Sequence, residues 1–499
     1  MSALDRVLAE RPARATIHLE PANLVASAHA LFNAGYRLAL VAGHDDGATL
    51  RVVYLFVDGP PDTRVELVVR LNADAPAVPS LAALSFPAGR FERELRDLFG
   101  VEPIGHPQPR ALVRHQHWPS DWHPMRRDAG PTPPLAEDGV PFPFAPVEGP
   151  GVYEIPVGPV HAGIIEPGHF RFWVVGETIL KMKARLWFTH KGVERLFVGR
   201  DDDAAIALAE RISGDSAVGH SLALVLALEE ARGLAVDPEV HAARAALLEL
   251  ERLYNHVGDV GAIANDVGFS LAQARTLVLR EELLALNESV TGHRLLRGAI
   301  SVGAVTLRGA PSLERVSDVV GRFHEVVELL RANSIVRDRL TGTGVLTPER
   351  AREIGVLGVV ARASGQSGDA RVAHPVAAFD PALVARREAG DVAARVDVRV
   401  DEVDASLATL RALLGGAEPP TSPSVPSPRG TGTGLVEGWR GTIAHRVELA
   451  PDGSLARVKV VDPSFLTWPA LSVALADTIV PDFPVVNKSF NLSYAGNDL

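Results

Sequence analysis

ERELRDLFGVEPIGHPQPR, residues 92–110, decides how the first part of this chain folds. With Gly89, Arg90 and Phe91 before it, the run is heavily charged yet periodic. The spacing predicts a helix over 89–99 with Phe91, Leu95, Leu98 and Phe99 toward a core, followed by a turn. Upstream, 24–32 reads as an apolar helix, and 36–41, 50–57 and 65–71 read as strands. Residues 1–118 are therefore expected to form a small α/β domain.

Downstream the composition changes. Residues 119–157 carry Pro131, Pro133, Pro134, Pro141, Pro143, Pro146 and Pro150, the look of an extended interdomain connector. Beyond it, 239–262 and 271–297 show apolar positions three and four apart and are long enough for the core helices of a bundle. Strand-like segments at 153–155, 170–175, 442–449 and 456–461 flank the helical part, so a small β-structure drawn from both ends of 158–499 is expected. The breaker-rich stretch 415–434 reads as a surface loop. Its GTGTG, residues 430–434, is not a phosphate loop, because the GxxxxGK[ST] frame is missing. The fold class is α+β: the α/β domain plus a mainly helical domain with a small β-structure.

Bulk properties remove several function classes. A chain of 499 residues calls for two or three cores, and its net charge of −11 leaves no basic footprint for nucleic acid. The longest apolar runs, such as 222–228, are far short of the roughly 18 residues of a spanning helix. No signal-peptide pattern opens the chain, so a cytoplasmic protein without a transmembrane segment is expected. The absence of cysteine excludes disulfides, thiolate metal sites, Cys-held iron–sulfur clusters and a cysteine nucleophile together. Redox chemistry would have to use a partner's cofactor.

Three separated stretches resemble one family pair in the right order. The ERE-DLFG-GHP-R pattern of 92–110 resembles the signature of the complex I 30-kDa subunit, which implies that its charges form an interface with a large subunit. The following HQHWPSDWHPMRRD (115–128) suggests a metal through His115, His117 and His123. Its likeness to the end of the same signature implies structural docking instead. GPVHAGIIEPGHFR (158–171) and HKGVER (190–195) resemble the first hairpin and the next element of hydrogenase and complex I large subunits. There, His161 and His169 are candidates for contact with a quinone head group, or caps of the hairpin. GLVEGWRGTIAHRVEL (434–449) and the tail from DPSFLTWPAL to Leu499 are similar to the end of the formate hydrogenlyase large subunit. Together they identify a group 4 [NiFe]-hydrogenase-like large subunit with 30-kDa-like and 49-kDa-like parts fused.

In active hydrogenases of that family, nickel sits on Arg-x-Cys-Gly-x-Cys-x-x-x-His and Asp-Pro-Cys-x-x-Cys. Here the frames read RISGDSAVGH and DPSFLT, with Ser213, Ser216, Ser464 and Thr467 at the thiolate positions and Arg211, His220, Asp462 and Pro463 kept. A hydroxyl is a hard, neutral oxygen, whereas a thiol with a pKa of about 8.5 supplies the soft anion that nickel needs. No metal is expected on this chain, and hydrogen activation is expected to be lost. The space is expected to be either a polar pocket for a quinone or protons, lined also by His161, Glu166, His169, Arg211, Asp215, His220 and Asp462, or a closed hydrogen-bonded scar. Arg211 and Lys191 are the expected partners of Asp215 and Glu194. Glu249, Arg252 and His256 share one helical face and, with Glu194, form a candidate proton path; a solvated face is the alternative.

The resemblance implies a peripheral-arm subunit on the cytoplasmic side of the cell membrane, in a hetero-oligomeric complex of the NADH-quinone oxidoreductase type that acts on NAD(P)H and quinone. Its implied partners are an iron–sulfur small subunit with a [4Fe-4S] cluster and antiporter-like membrane subunits. Electrons would pass from that cluster to a quinone-like acceptor, coupled to ion translocation. The alternative is a redox-inactive scaffold subunit of an antiporter-like ion-transport complex.

Overall fold

Residues 89–99 lie in a helix, Phe86–Phe99, with the expected core face: Phe91, Leu95, Leu98 and Phe99 are all buried. In the computed structural model, which describes residues 3–135, 139, 141–163, 165–415 and 429–499, the charged residues Glu92, Arg93, Glu94 and Asp97 of this helix are buried as well. Glu92 accepts the Leu81 N–H and the Ser80 hydroxyl, each at 2.6 Å. Asp97 accepts the amides of Leu112, Val113 and Arg114. The helix thus has two packed sides, and its charges tie down the loops around it. Gly100, at φ 74°, ends it in the left-handed conformation that favours glycine.

The strands expected in the first part are present as Arg37–Asp45, Thr49–Asp58 and Thr63–Asn72, an antiparallel run. A fourth strand, Arg14–Leu19, joins parallel to Thr63–Asn72. Its half-buried, mixed sequence gave no clear alternation to read.

The second part is built on long helices: Ala217–Arg232, Pro238–Asp266, Ser270–Thr291, Leu313–Ala332 and Val392–Leu414. The helix expected over 271–297 stops at Thr291, where Gly292 turns left-handed. The strands at the two ends of this part form two separate antiparallel sheets rather than one β-structure. One joins Val152–Val157, His169–Val175 and Thr178–Arg185; the other joins Thr431–Gly438, Gly441–Leu449 and Leu455–Val461. No helix among the described residues is long and apolar enough to cross a membrane.

Residues 416–428 of the stretch expected to be a loop lie outside the described residues. Its end departs from the expectation: Thr431–Gly434 belongs to a buried strand. The alternation explains this. A Cβ on Gly432 would lie 2.1 Å from the Ala227 carbonyl oxygen, and one on Gly434 would lie 1.9 Å from that of Ala223. Glycine at every second position lets helix Ala217–Arg232 rest directly on the strand backbone.

The first sheet docks on the last one through ion pairs. Arg446 meets Glu66 at 2.7 Å, Arg51 meets Glu448 at 2.6 Å, and Lys459 meets Glu94 of the motif helix at 2.8 Å.

Candidate functional site

The frames RISGDSAVGH and DPSFLT converge at two helix starts. Ser216 precedes helix Ala217–Arg232, and Asp462 caps helix Pro463–Ala474 by accepting the Ser464 N–H at 2.7 Å. Ser213, Ser216, Ser464 and Thr467 are all buried, and each hydroxyl is engaged. Ser213 Oγ donates to Asp215 Oδ1 at 3.0 Å and lies 2.8 Å from Ser493 Oγ. Ser464 Oγ accepts the Ser493 N–H at 3.0 Å, so Ser493 stitches the two frames together. Ser216 Oγ accepts from Arg440 at 3.3 Å, and Thr467 Oγ1 accepts the Leu357 N–H at 3.3 Å. These donors do not fit nickel: they are neutral hard oxygens already held by amides, a guanidinium and one another.

The expected ion partners need correction. Arg211 lies at the surface and bonds to the Ala207 carbonyl; Lys191 reaches the Ile212 carbonyl. Asp215 is gripped by Arg440 through two hydrogen bonds of 2.6 and 2.7 Å. The Arg440 guanidinium also stacks on Trp439 at 3.8 Å and donates to the Asn491 carbonyl. Burial pushes the Asp215 carboxyl up, but the charge and hydrogen bonds of Arg440 outweigh it and hold it below the usual range. Glu194 pairs with Arg457 at 2.7 Å and Lys459 at 3.0 Å, outside the serine frame.

His220 is buried between Asp462, 3.0 Å from Nε2, and His445, 3.0 Å from Nδ1. Asp462 is held ionised by these contacts and Arg440 against the burial that would raise it. A carboxylate only accepts, so His220 Nε2 carries the proton. In neutral His220, Nδ1 then accepts from His445 Nε2, and His445 Nδ1 is left buried without a partner.

On the hairpin, His161 Nε2 donates to the Gly168 carbonyl at 2.7 Å and His169 Nδ1 donates to the Gly158 carbonyl at 3.1 Å. Both rings therefore cap the loop. His169 Nε2 remains buried and unpartnered. Glu166 accepts the Ala495 N–H at 3.0 Å, so segment 493–495 lies between the hairpin and the serine frame. His115 and His123 bond to the carbonyls of Trp187 and Asp97, contacts that dock the connector.

Glu249, Arg252 and His256 do share a face, but it is buried, which removes the solvated alternative. They join a network gathered on Glu402 of helix Val392–Leu414. His256 lies 2.8 Å from Glu402, Arg252 3.2 Å and Arg362 2.7 Å. Arg362 continues to Glu437 at 2.7 Å, while Arg371 bridges Glu249 and Asp369. The adjacent face of helix Pro238–Asp266 serves the serine frame. Glu251 accepts the Val218 and Gly219 amides at the start of helix Ala217–Arg232, and Asn255 donates to the Asp215 carbonyl at 2.9 Å. Burial raises Glu251 to about 8, against those two amides.

The sequence reading missed Arg440, His445, Ser493, Glu402 and Arg362. Arg440 stands inside a stretch recognised as similar to the family. His445 and Ser493 also stand in recognised stretches, whereas a glutamate in an amphipathic helix carries no local signal.

Residues 17–134 match the family described as respiratory-chain NADH dehydrogenase, 30 kDa subunit, and residues 266–419 match its 49 kDa subunit. Hydrogenase-4 component G of Escherichia coli is 30% identical over 460 residues, covering 89% of this chain and 80% of that protein. The fused C/D protein of the NADH-quinone oxidoreductase of Phocaeicola vulgatus is 28% identical, over 82% of this chain and 85% of the relative. Among solved structures, a chain of the membrane-bound sulfane sulfur reductase, an archaeal respiratory membrane complex, superposes with a TM-score of 0.62. It shares 26% identity, over 72% of this chain and all of that one.

Proposed function

The chain belongs to the family of complex I-related large subunits that fuse a 30-kDa-type to a 49-kDa-type part, and on that premise we propose that it is the peripheral-arm subunit of a membrane-bound oxidoreductase working without nickel–iron hydrogen chemistry. In this reading a small partner protein bearing a [4Fe-4S] cluster supplies electrons. A quinone-like acceptor takes up two electrons and two protons at the hairpin, and antiporter-like membrane subunits couple the turnover to ion movement.

One observation carries the reading: all four metal-ligand positions bear hydroxyls closed into a hydrogen-bonded frame, while the buried charges beside that frame are intact. The chemistry that needed thiolates has no donors left, whereas the groups able to hold and pass protons remain. His169, whose Nδ1 donates to the Gly158 carbonyl, keeps a buried and unpartnered Nε2 that can accept a hydrogen bond from the hydroxyl of a reduced acceptor. The closure of the serine frame also favours a second reading, a redox-inactive scaffold of an ion-transport complex.

Purification of the tagged protein from its native membranes in mild detergent separates the two. Co-purification of a cluster-bearing protein with antiporter-like proteins, and quinone-analogue reduction that falls in His169→Ala, supports the redox role. Recovery with membrane proteins but no cluster-bearing partner supports the scaffold. Nickel in the complex with hydrogen-dependent dye reduction overturns both.

A further inference from the structure

Away from the serine frame, five cations meet where the motif helix, the hairpin sheet and the connector touch. Arg90 and Arg93 come from helix Phe86–Phe99, Lys183 and Arg185 from strand Thr178–Arg185, and Arg110 from the loop that ends the motif. Shared partners hold them close. Arg110 and Arg185 both lie over the Phe142 ring, at 5.5 and 5.1 Å, and Arg90 and Arg185 both lie over Trp187, at 5.6 and 5.8 Å. Arg93 donates to the carbonyls of Arg110 and Ala111, and Arg185 to those of Leu112, Val113 and Arg114.

None of the five forms an ion pair with a carboxylate among the described residues. The three acids that influence them are committed elsewhere, Glu94 to Lys459. Asp97 holds three amides and Arg114, and Asp498 holds Thr189 and Asn497. The Lys183 ammonium makes no hydrogen bond among the described residues, and the Nε atoms of Arg90 and Arg110 are enclosed without partners. Arg110, with Gln108 and Pro109, lines a wide-open surface hollow of about 330 Å³ at the edge of the cluster. Ordinary buried arginines, such as Arg362 in this same chain, sit on carboxylates. Here backbone dipoles and aromatic faces fix the guanidinium planes, and no carboxylate among the described residues sits in ion-pair contact with them.

We propose that this cluster binds a small oxyanion, a phosphate or a carboxylate, approached from the open side at Arg110, with Lys183 and the guanidinium edges as donors. The mutual repulsion of the cations agrees. Burial and the neighbouring arginines lower Lys183 to about 8, and burial together with Arg93 lowers Arg90 to about 9. The proposal does not rest on the redox reading, although Arg185 and Lys183 stand directly across the strands from His169 and Arg171, on the same face of the hairpin sheet.

The test titrates the purified full-length protein with inorganic phosphate and, separately, with malonate at constant ionic strength, following heat and thermal unfolding. Saturable binding of either is expected, with affinity reduced at least about tenfold in Lys183→Gln and retained in Lys183→Arg. The substitution also carries a sign. Without anion, Lys183→Gln should unfold at a higher temperature than the parent because it relieves repulsion, where a merely structural lysine would give a lower one. No saturable response to either anion, or a response that Lys183→Gln leaves intact, overturns the proposal.

Discussion

The serine frame and the Glu402 network lie on adjacent faces of helix Pro238–Asp266, and they differ in how they would tolerate change. The frame consists of small neutral groups with amides and a guanidinium close by. Each thiolate position could become a hydroxyl without leaving a buried charge, because Ser493, Arg440 and Leu357 supply partners. The Glu402 network has no such tolerance. Arg252, Arg362, Arg371, Glu249, Glu402, Glu437 and Asp369 compensate one another inside the protein, and removing one member strands its partners. Neutral sites can be rewritten one residue at a time; mutually paired buried charges resist piecemeal change.

The comparison breaks most severely if Arg362 can be removed cheaply. Arg362→Met leaves Glu402 and Glu437 buried without it, and a loss of about 3–5 kcal/mol is expected. Denaturant unfolding and hydrogen exchange along helix Val392–Leu414 measure it; a loss below about 1 kcal/mol by the same rule would refute mutual compensation.

Glu251 tests the boundary between the two regions. Its carboxyl is raised by burial from 4.5 to about 8 in the folded protein. Between those values the folded state keeps a proton that the unfolded state has released, so stability should fall as pH rises from about 5 to 8. Glu251→Gln, which keeps one oxygen for one of the two amides and cannot titrate, should flatten that slope in unfolding curves recorded across the range.

In the frame itself, Ser464→Ala strands the Ser493 N–H and is expected to cost about 1–3 kcal/mol in unfolding. The smallest effect is expected for Thr467→Val, which keeps the shape and leaves a single half-buried amide at Leu357, about 1 kcal/mol or less. If these two changes rivalled Arg362→Met, the contrast between the regions would disappear.

Much of this was legible from local pattern. The motif helix, the three strands around it, the central helix and the altered metal frames announce themselves through periodicity or through contiguous motifs. What stayed hidden depends on contacts distant in the chain. Arg440 meets Asp215 across 225 residues and Ser493 meets Ser213 across 280, pairings that no spacing rule encodes. Arg211, next to the frame in sequence, points out to solvent instead, since the turn before helix Ala217–Arg232 carries it away. The GTGTG run misled for the opposite reason. Its composition is that of a loop, and only the presence of a helix against it makes those glycines a strand.

That glycine alternation has a mechanical consequence. With backbone lying on backbone, no layer of side chains cushions helix Ala217–Arg232 from strand Thr431–Gly438, so the two behave as one stiff plank. His220 rides on the helix, and Glu437 sits near the end of the strand, inside the Glu402 network. A displacement imposed at His220 would reach those charges without a compliant joint to dissipate it.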